Sequence, residues 1–461
     1  MLLAGQFFLP RPAVASTITV TTVADELITN GECSLREAIR NANADAALHP
    51  DCPAGSGADT ISLPNGLYTL TISGRGEDGS ASGDLDLTGT MTIIGAGTAR
   101  TIVEAGPESS IRIDRVFDVQ PGASVQLTGL TVRRGHPGQA QTTATGDGAG
   151  GGIRSRGTLT LDAVTVTENQ THSLSLYSGY PSSNGGGLFQ ESGNLTVRRS
   201  TFSTNTTDTD GGGIDFVSTG TLTLDSVTVM GNTAGRAGGG LDMDRGSASI
   251  VNTTVSGNQA AVQGGGISND GATLYIDYST IAANQASARG GGIDNNTSST
   301  IRFLSTIVAV NSGGNCGYFQ AAAVVSAGSN LSSDVTCPFN LSTDQRSTDP
   351  RLSPLQSNGG PTRTHALLAS SPAIDAGPAA CSPPGVDQRG ISRPTDGDGN
   401  GTARCDIGAF EYGATSGPPR RIAPAGTPSA PAPERRITDG GGMPPAAPTQ
   451  PTPEPVRSVA R

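Results

Sequence analysis

Carboxylates recur at a fixed place in this chain. Directly after six Gly-Gly-Gly-(Ile/Leu) tetrapeptides come Arg154, Phe189, Asp215, Asp242, Ser268 and Asp294. Two residues further on come Arg156, Glu191, Val217, Asp244, Asp270 and Asn296. If these positions stack, Asp242, Asp244 and Asp270 cluster on one outward, exposed face, with Asp215 and Asp294 a repeat or two away. Carboxylates about 5 Å apart repel unless they are protonated, paired or metal-bound. Such spacing serves a glycosidase pair or the calcium site of a polysaccharide lyase. The plainer expectation is a solvated face neutralised by Arg236, Arg245 and Arg289.

A second oxygen-rich motif is Asp396-Gly397-Asp398-Gly399-Asn400-Gly401. Oxygen ligands at positions 1, 3 and 5 with Gly at 6 are how calcium loops begin. Position 12 is Ile407 rather than Glu, so this is not an EF-hand; Asp406 or Glu411 is expected to complete the shell. Apart from this candidate calcium, no cofactor is indicated. The four His (49, 136, 172 and 365) are scattered, with no Ser/His/Asp order. The NTD, GxDD, GHG and RIK motifs of polygalacturonase-type hydrolases are missing.

Composition narrows the chemistry further. All 29 basic residues are Arg, which removes P-loop, Schiff-base and general-base lysines. There is no Trp, and aromatics are 4% of the chain, so a broad sugar-stacking platform is not expected. The net charge of −11 argues against a nucleic-acid partner. No apolar run reaches the roughly 20 residues of a membrane helix.

The elements that must position these residues show as a repeat. Successive residues closing the Gly triplets are Ile153, Leu188, Ile214, Leu241, Ile267 and Ile293, and the later intervals are 26 or 27 residues. Asn169, Asn205, Asn232, Asn258, Asn284 and Asn311 keep the same period. Ten residues before each Asn lie Leu159, Leu195, Leu222, Ala248, Leu274 and Ile301; three before lie Val166, Phe202, Val229, Val255, Ile281 and Val308. Apolar residues two apart, separated by polar ones, are half-buried strands. Three short strands in about 26 residues make one coil of a parallel β-helix, and ten or eleven coils are expected between residues 60 and 345. The Asn column predicts an amide ladder inside a turn, a structural rather than a catalytic role. The gap of 16 residues after Asn169, where other cycles have six, places an insertion at about 170–184. Its His172, Tyr177 and Tyr180 make it the candidate recognition loop.

A stack needs its ends covered. Ser34 and Glu37 form an S-x-x-E capping box, and Leu35, Ala38, Ile39 and Ala42 share one face, which predicts a short helix over 35–44 across the first coil. Six Cys form three sequence-local pairs, Cys33/Cys52, Cys316/Cys337 and Cys381/Cys405, among 15 connectivities. Disulfides suit an oxidising compartment. Ala13-Val14-Ala15 is an A-x-A cleavage pattern, so residues 1–15 read as the remainder of a signal peptide. Residues 413–461 are rich in Pro and without an apolar run, which predicts a disordered, partly polyproline tail.

Residues 18–45, with the core CSLREAI, resemble the CSLREA domain at the front of bacterial exported proteins. The Gly triplets with Phe202-Ser203-Thr204-Asn205 resemble the GGA(I/L) and FxxN repeats of polymorphic outer-membrane proteins, which are surface adhesins with β-helix passengers. Here GGG replaces GGA, and Phe becomes Val or Ile in the other five cycles. Residues 349–411, with DPRLSPLQSNGGPTRTHALLASSPAIDAG, DQRG and CDIGAFE, resemble the choice-of-anchor Q domain of bacterial surface proteins. The resemblance implies a cap over 16–58, a right-handed parallel β-helix over 59–345 and an anchor-associated module over 346–412. The expected function is an extracellular or cell-surface binding rod whose partner is a glycan or a surface protein. Its rival is a polysaccharide lyase or glycoside hydrolase that uses the acidic stripe.

Overall fold

The computed structural model describes residues 15–106, 114–137, 148–172, 184–296, 298–318, 323–381 and 385–413. The expected signal segment, most of the 170–184 insertion with Tyr177 and Tyr180, and the tail after Gly413 lie outside them.

Among the described residues the strands form four parallel sheets of eleven, ten, nine and five strands. The coil around residue 230 shows the plan. Thr221–Asp225 belongs to sheet 1, Thr228–Met230 to sheet 2 and Leu241–Met243 to sheet 3. Between the last two, Thr233–Ala234 contributes to a narrow sheet 4 of two-residue strands. The architecture is a parallel β-helix with the right-handed winding that parallel crossovers take. Sheet 1 starts before residue 60, because Thr17–Thr19 already pairs with the strand Asp59–Leu63.

Stacking in register puts like on like. Leu159, Leu195, Leu222, Ala248, Leu274 and Ile301 are successive partners in sheet 1. Val166, Phe202, Val229, Val255, Ile281 and Val308 are successive partners in sheet 2. In one coil, Ile214, Phe216, Leu222, Leu224 and Val229 are at most 1% exposed. Hiding each gains about 1.5–3 kcal/mol, most of it offset by chain entropy.

The Asn column forms the expected ladder. From Asn169 to Asn284, each Nδ2 donates to the Oδ1 of the next Asn at 2.9–3.0 Å. The same Oδ1 accepts the backbone N–H of the preceding Asn. The second Nδ2 hydrogen goes to a sheet 2 carbonyl of the preceding coil, as Asn258 does to Val229 at 2.9 Å. Gly135 opens the ladder and Asn315 closes it. Each amide in the middle therefore uses both donors and accepts twice. The Gly triplet makes room for it: a Cβ on Gly240 would stand 3.0 Å from Asn258 Nδ2.

The ends are closed by different means. The helix Leu35–Ala44 carries the full capping box and buries Leu35, Ala38, Ile39 and Ala42. Cys33–Cys52 ties it down. Arg36, 1% exposed, pairs with Asp25 at 2.6 Å and donates to the carbonyls of Ser80, Gly83 and Asp84. The other two disulfides are Cys316–Cys337 and Cys381–Cys405.

Residues 346–412 do not extend the rod; they lie back along the outer face of sheet 2. Gln388 donates to Val227 O and Thr228 Oγ1 and accepts from Thr254 Oγ1. Thr280 accepts from the Ala409 amide, and Ser256 Oγ meets His365 Nε2 at 2.9 Å. Leu367, Ala373, Ile407 and Phe410 pack with Ile307, Ala309 and Leu331 in a second apolar cluster. No helix is long and apolar enough to cross a membrane among the described residues.

Removing one rung should show the ladder's weight. Asn258→Ala takes the acceptor from both Asn232 donors and the side-chain donor from the Val229 carbonyl, while Asn284 Oδ1 keeps only the backbone N–H of residue 258. It should cost about 3 kcal/mol or more in denaturant unfolding, against less than about 0.5 kcal/mol for the exposed Asn340→Ala.

Candidate functional site

The middle residues of the sheet 3 strands stack into one outward row. Asp86, Asp118, Arg154, Phe189, Asp215, Asp242, Ser268 and Asp294 are successive partners. The stripe read from sequence is thus brought together, but it is not exposed. Asp215 and Asp294 are 0% exposed and Asp242 is 2% exposed. The corner turn is the reason. Gly211 and Gly238, at φ +66° and +62°, fold back so closely that a Cβ would lie 2.5 Å and 2.7 Å from the Cβ atoms of Asp215 and Asp242. Asp244 and Asp270, two residues further on, remain half-buried and reach solvent.

The row splits into two electrostatic halves. In the earlier coils, burial pushes Asp118 up, but Arg115, Arg154 and Arg156 outweigh it and hold its carboxyl below the usual range. Asp86 beside it is pushed up to about 7, chiefly by burial. In the later coils the cations are spent at the margins. Arg236 pairs with Asp210, and Arg289 pairs with Asp294 at 2.7 Å. Arg245 is exposed and makes no ion pair among the described residues, so the expected three-arginine neutralisation fails. Burial first, then the charges of Asp242, Asp244 and Asp210, raise Asp215 well above the ordinary range. Burial, then Asp210, Asp244 and Asp270, do the same to Asp242, and Asp244 is raised by burial and Asp270. Neither oxygen of Asp215 makes a hydrogen bond of normal geometry, although the Asn184 amide eases its charge. Asp210 was missed in the sequence. It belongs to the column just before each triplet, Ala149, Asn184, Asp210, Ala237, Gln263 and Arg289, where no polar residue type repeats.

The candidate calcium loop is rearranged relative to expectation. Asp396 and Asp398 group with Asp375, not with Asp406. Asp406 instead accepts from the Asp375 and Tyr412 amides, and Glu411 from the Thr395 and Asp406 amides. Burial and then Glu411 push Asp406 up to about 7. Within the loop the oxygens are already engaged. Asp396 accepts from the amides of Gly399, Asn400 and Gly401; Asp398 accepts from Asn400; Asp375 accepts from Gly397 and Asp398. The Asn400 Oδ1 accepts from the Thr402 amide. Of the candidate recognition loop, His172 is described: it faces Asp208 at 3.0 Å and lies against His136.

No protein-family model and no curated protein sequence matches this chain. Among solved structures it is similar to pectate lyase Pel9A, at 15% identity over 80% of this chain and 94% of that one, with a TM-score of 0.44. It is also similar to the A-module of the Azotobacter vinelandii mannuronan C-5 epimerase AlgE6, at 14% identity over 65% of this chain and 91% of that one, with a TM-score of 0.35.

A carboxyl whose folded pKa is raised contributes its full stability below the unfolded value of about 3.9 and loses it as pH rises toward the folded value. For Asp86 and Asp406 that window closes at about 7; for Asp215 it extends upward from about pH 4. In chelator-containing buffer, Asp215→Asn should therefore stabilise the protein at pH 8 by about 1–3 kcal/mol and have little effect near pH 4. Thermal melts of both proteins at the two pH values check this.

Proposed function

We propose that this protein is an exported bacterial β-helix rod that binds a glycan along the outer face of sheet 1 and does not cleave it. The observation that carries the reading is which faces are open. Residues 346–412 occupy the outside of sheet 2. The corner turns cover the middle row of sheet 3. Among the described residues, sheet 1 keeps a long uncovered flank. Its outward residues Thr92, Gln126, Thr160, Thr196, Thr223 and Ser249 are half-buried and stand one per strand, about 4.8 Å apart. Hydroxyls and amides at a fixed spacing are suited to the repeated hydroxyls of a polysaccharide. Tyr275, 45% exposed, follows Ser249 in this row and is followed by Arg302. The ring supplies a stacking face, and the Arg302 guanidinium, whose Nη1 already donates to Asp277 at 3.0 Å, has further N–H donors for an acidic sugar.

Three disulfides support an oxidising, extracellular setting. The likeness of the ends to CSLREA and choice-of-anchor Q modules supports display at a bacterial surface. Burial of Asp215 and Asp242 weighs against the lyase or hydrolase reading, since a polymer cannot meet a carboxylate lying beneath a turn.

The test is pull-down of the full chain on acidic and neutral polysaccharides, with reducing ends and unsaturated products followed in parallel. Retention without cleavage, weakened about tenfold (about 1.4 kcal/mol) by Tyr275→Ala, is expected. Turnover that Asp244→Asn abolishes would make the protein an enzyme instead.

A further inference from the structure

Among the described residues, three groups of carboxylates lie close enough to share an ion: Asp78/Asp86/Asp118, Asp242/Asp244/Asp270 and Asp375/Asp396/Asp398. They differ in what already occupies their oxygens. Asp118 holds Arg154 and Arg156, and Asp86 takes the Gln120 amide and the Ser80 N–H. In the third group, backbone amides fill all three residues. The middle group is different. Asp242 is 2% exposed, yet its Oδ1 makes no hydrogen bond of normal geometry. Ser268, its in-register neighbour, is 0% exposed; its Oγ eases the Asp242 charge but also lacks a hydrogen bond of normal geometry. Asn296 donates to Asp270, which leaves that carboxylate with further acceptor capacity. Arg236 and Arg289 stand on either side but are engaged with Asp210 and Asp294.

The spacing has a chemical meaning. One oxygen each from Asp242, Asp244 and Asp270 lies within 4.8 Å of the others. Two oxygens bound to one ion at about 2.4 Å are at most about 4.8 Å apart. Carboxylate and hydroxyl ligands, with no nitrogen or sulfur, select a hard cation, and an irregular set of this kind suits calcium better than magnesium.

We propose that Asp242, Asp244 and Asp270, with Ser268 Oγ, bind one calcium ion at the corner of sheet 3. The ion enters from the solvent side, where Asp244 and Asp270 are half-buried. Water fills its remaining positions. The site does not depend on glycan binding along sheet 1.

Isothermal titration of the chelator-stripped full chain with calcium chloride alone, and with magnesium chloride alone, tests the proposal. Wild-type protein should bind calcium at this site at least tenfold more tightly than magnesium. Asp244→Asn, chosen because it is half-exposed and its fold is checked by circular dichroism, should weaken calcium at least tenfold. Asp396→Asn should leave that affinity unchanged. A second calcium equivalent that Asp396→Asn removes, with the first still lost in Asp244→Asn, supports the site equally. No calcium binding by the wild type, or binding indifferent to Asp244→Asn, overturns it. Because calcium is titrated alone, such a failure leaves the sheet 1 reading standing.

Discussion

A coil of this rod cannot satisfy itself; its backbone and its corner amide are completed only by the next coil. The Asn ladder makes that dependence specific. Asn258 accepts from the backbone and side chain of Asn232 and donates to Asn284, so a coil that slipped by one residue would strand buried donors on both sides. Register, once held, extends to every other position. Leucines meet leucines inside, and the residue after each Gly-triplet Ile or Leu meets its counterpart of the next coil outside, as Asp215 meets Asp242. The same constraint that builds the core therefore forces aspartates into a column, where they repel.

The chain deals with that column differently along its length. Around Asp118, three arginines enter the row and its carboxyl stays ionised. Around Asp294, Arg289 supplies the positive charge. Between them, Asp215 and Asp242 lie under the corner glycines with no arginine of their own among the described residues. A buried and unpaired carboxylate is costly to keep ionised, so this stretch is where a proton or a cation has to supply the missing charge. Among the described residues, the helix and Arg36 seal the first coil and residues 346–412 cover the outside of sheet 2, while the outward row of sheet 1 stays half-buried.

What could be read from the residues was whatever repeats or acts locally. The Asn and leucine columns, the helix over 35–44 and the three Cys pairs all have short-range or periodic signals, and each is present. Sheet 4 left no such mark, because a strand of two residues is too short to alternate. The return of the C-terminal module was hidden for another reason. Gln388 meets Thr228 at a sequence separation of 160, and nothing periodic links them. The acidic row was placed correctly on the outside of its strands, but period alone carries no information about a glycine turn folding over it. Asp375 and Asp210 took part without warning, since neither lies in a repeating column of its own type.

Carbodiimide labelling of the native full chain in chelator, read carboxyl by carboxyl by mass spectrometry, measures most directly whether the acid row is withdrawn beneath the corners. Asp78 and Asp398, both exposed, should label fast, while Asp215 and Asp242 should stay unmodified until the protein unfolds. Labelling of Asp215 and Asp242 as fast as the exposed pair would contradict the account and return the stripe to solvent, where a substrate could reach it.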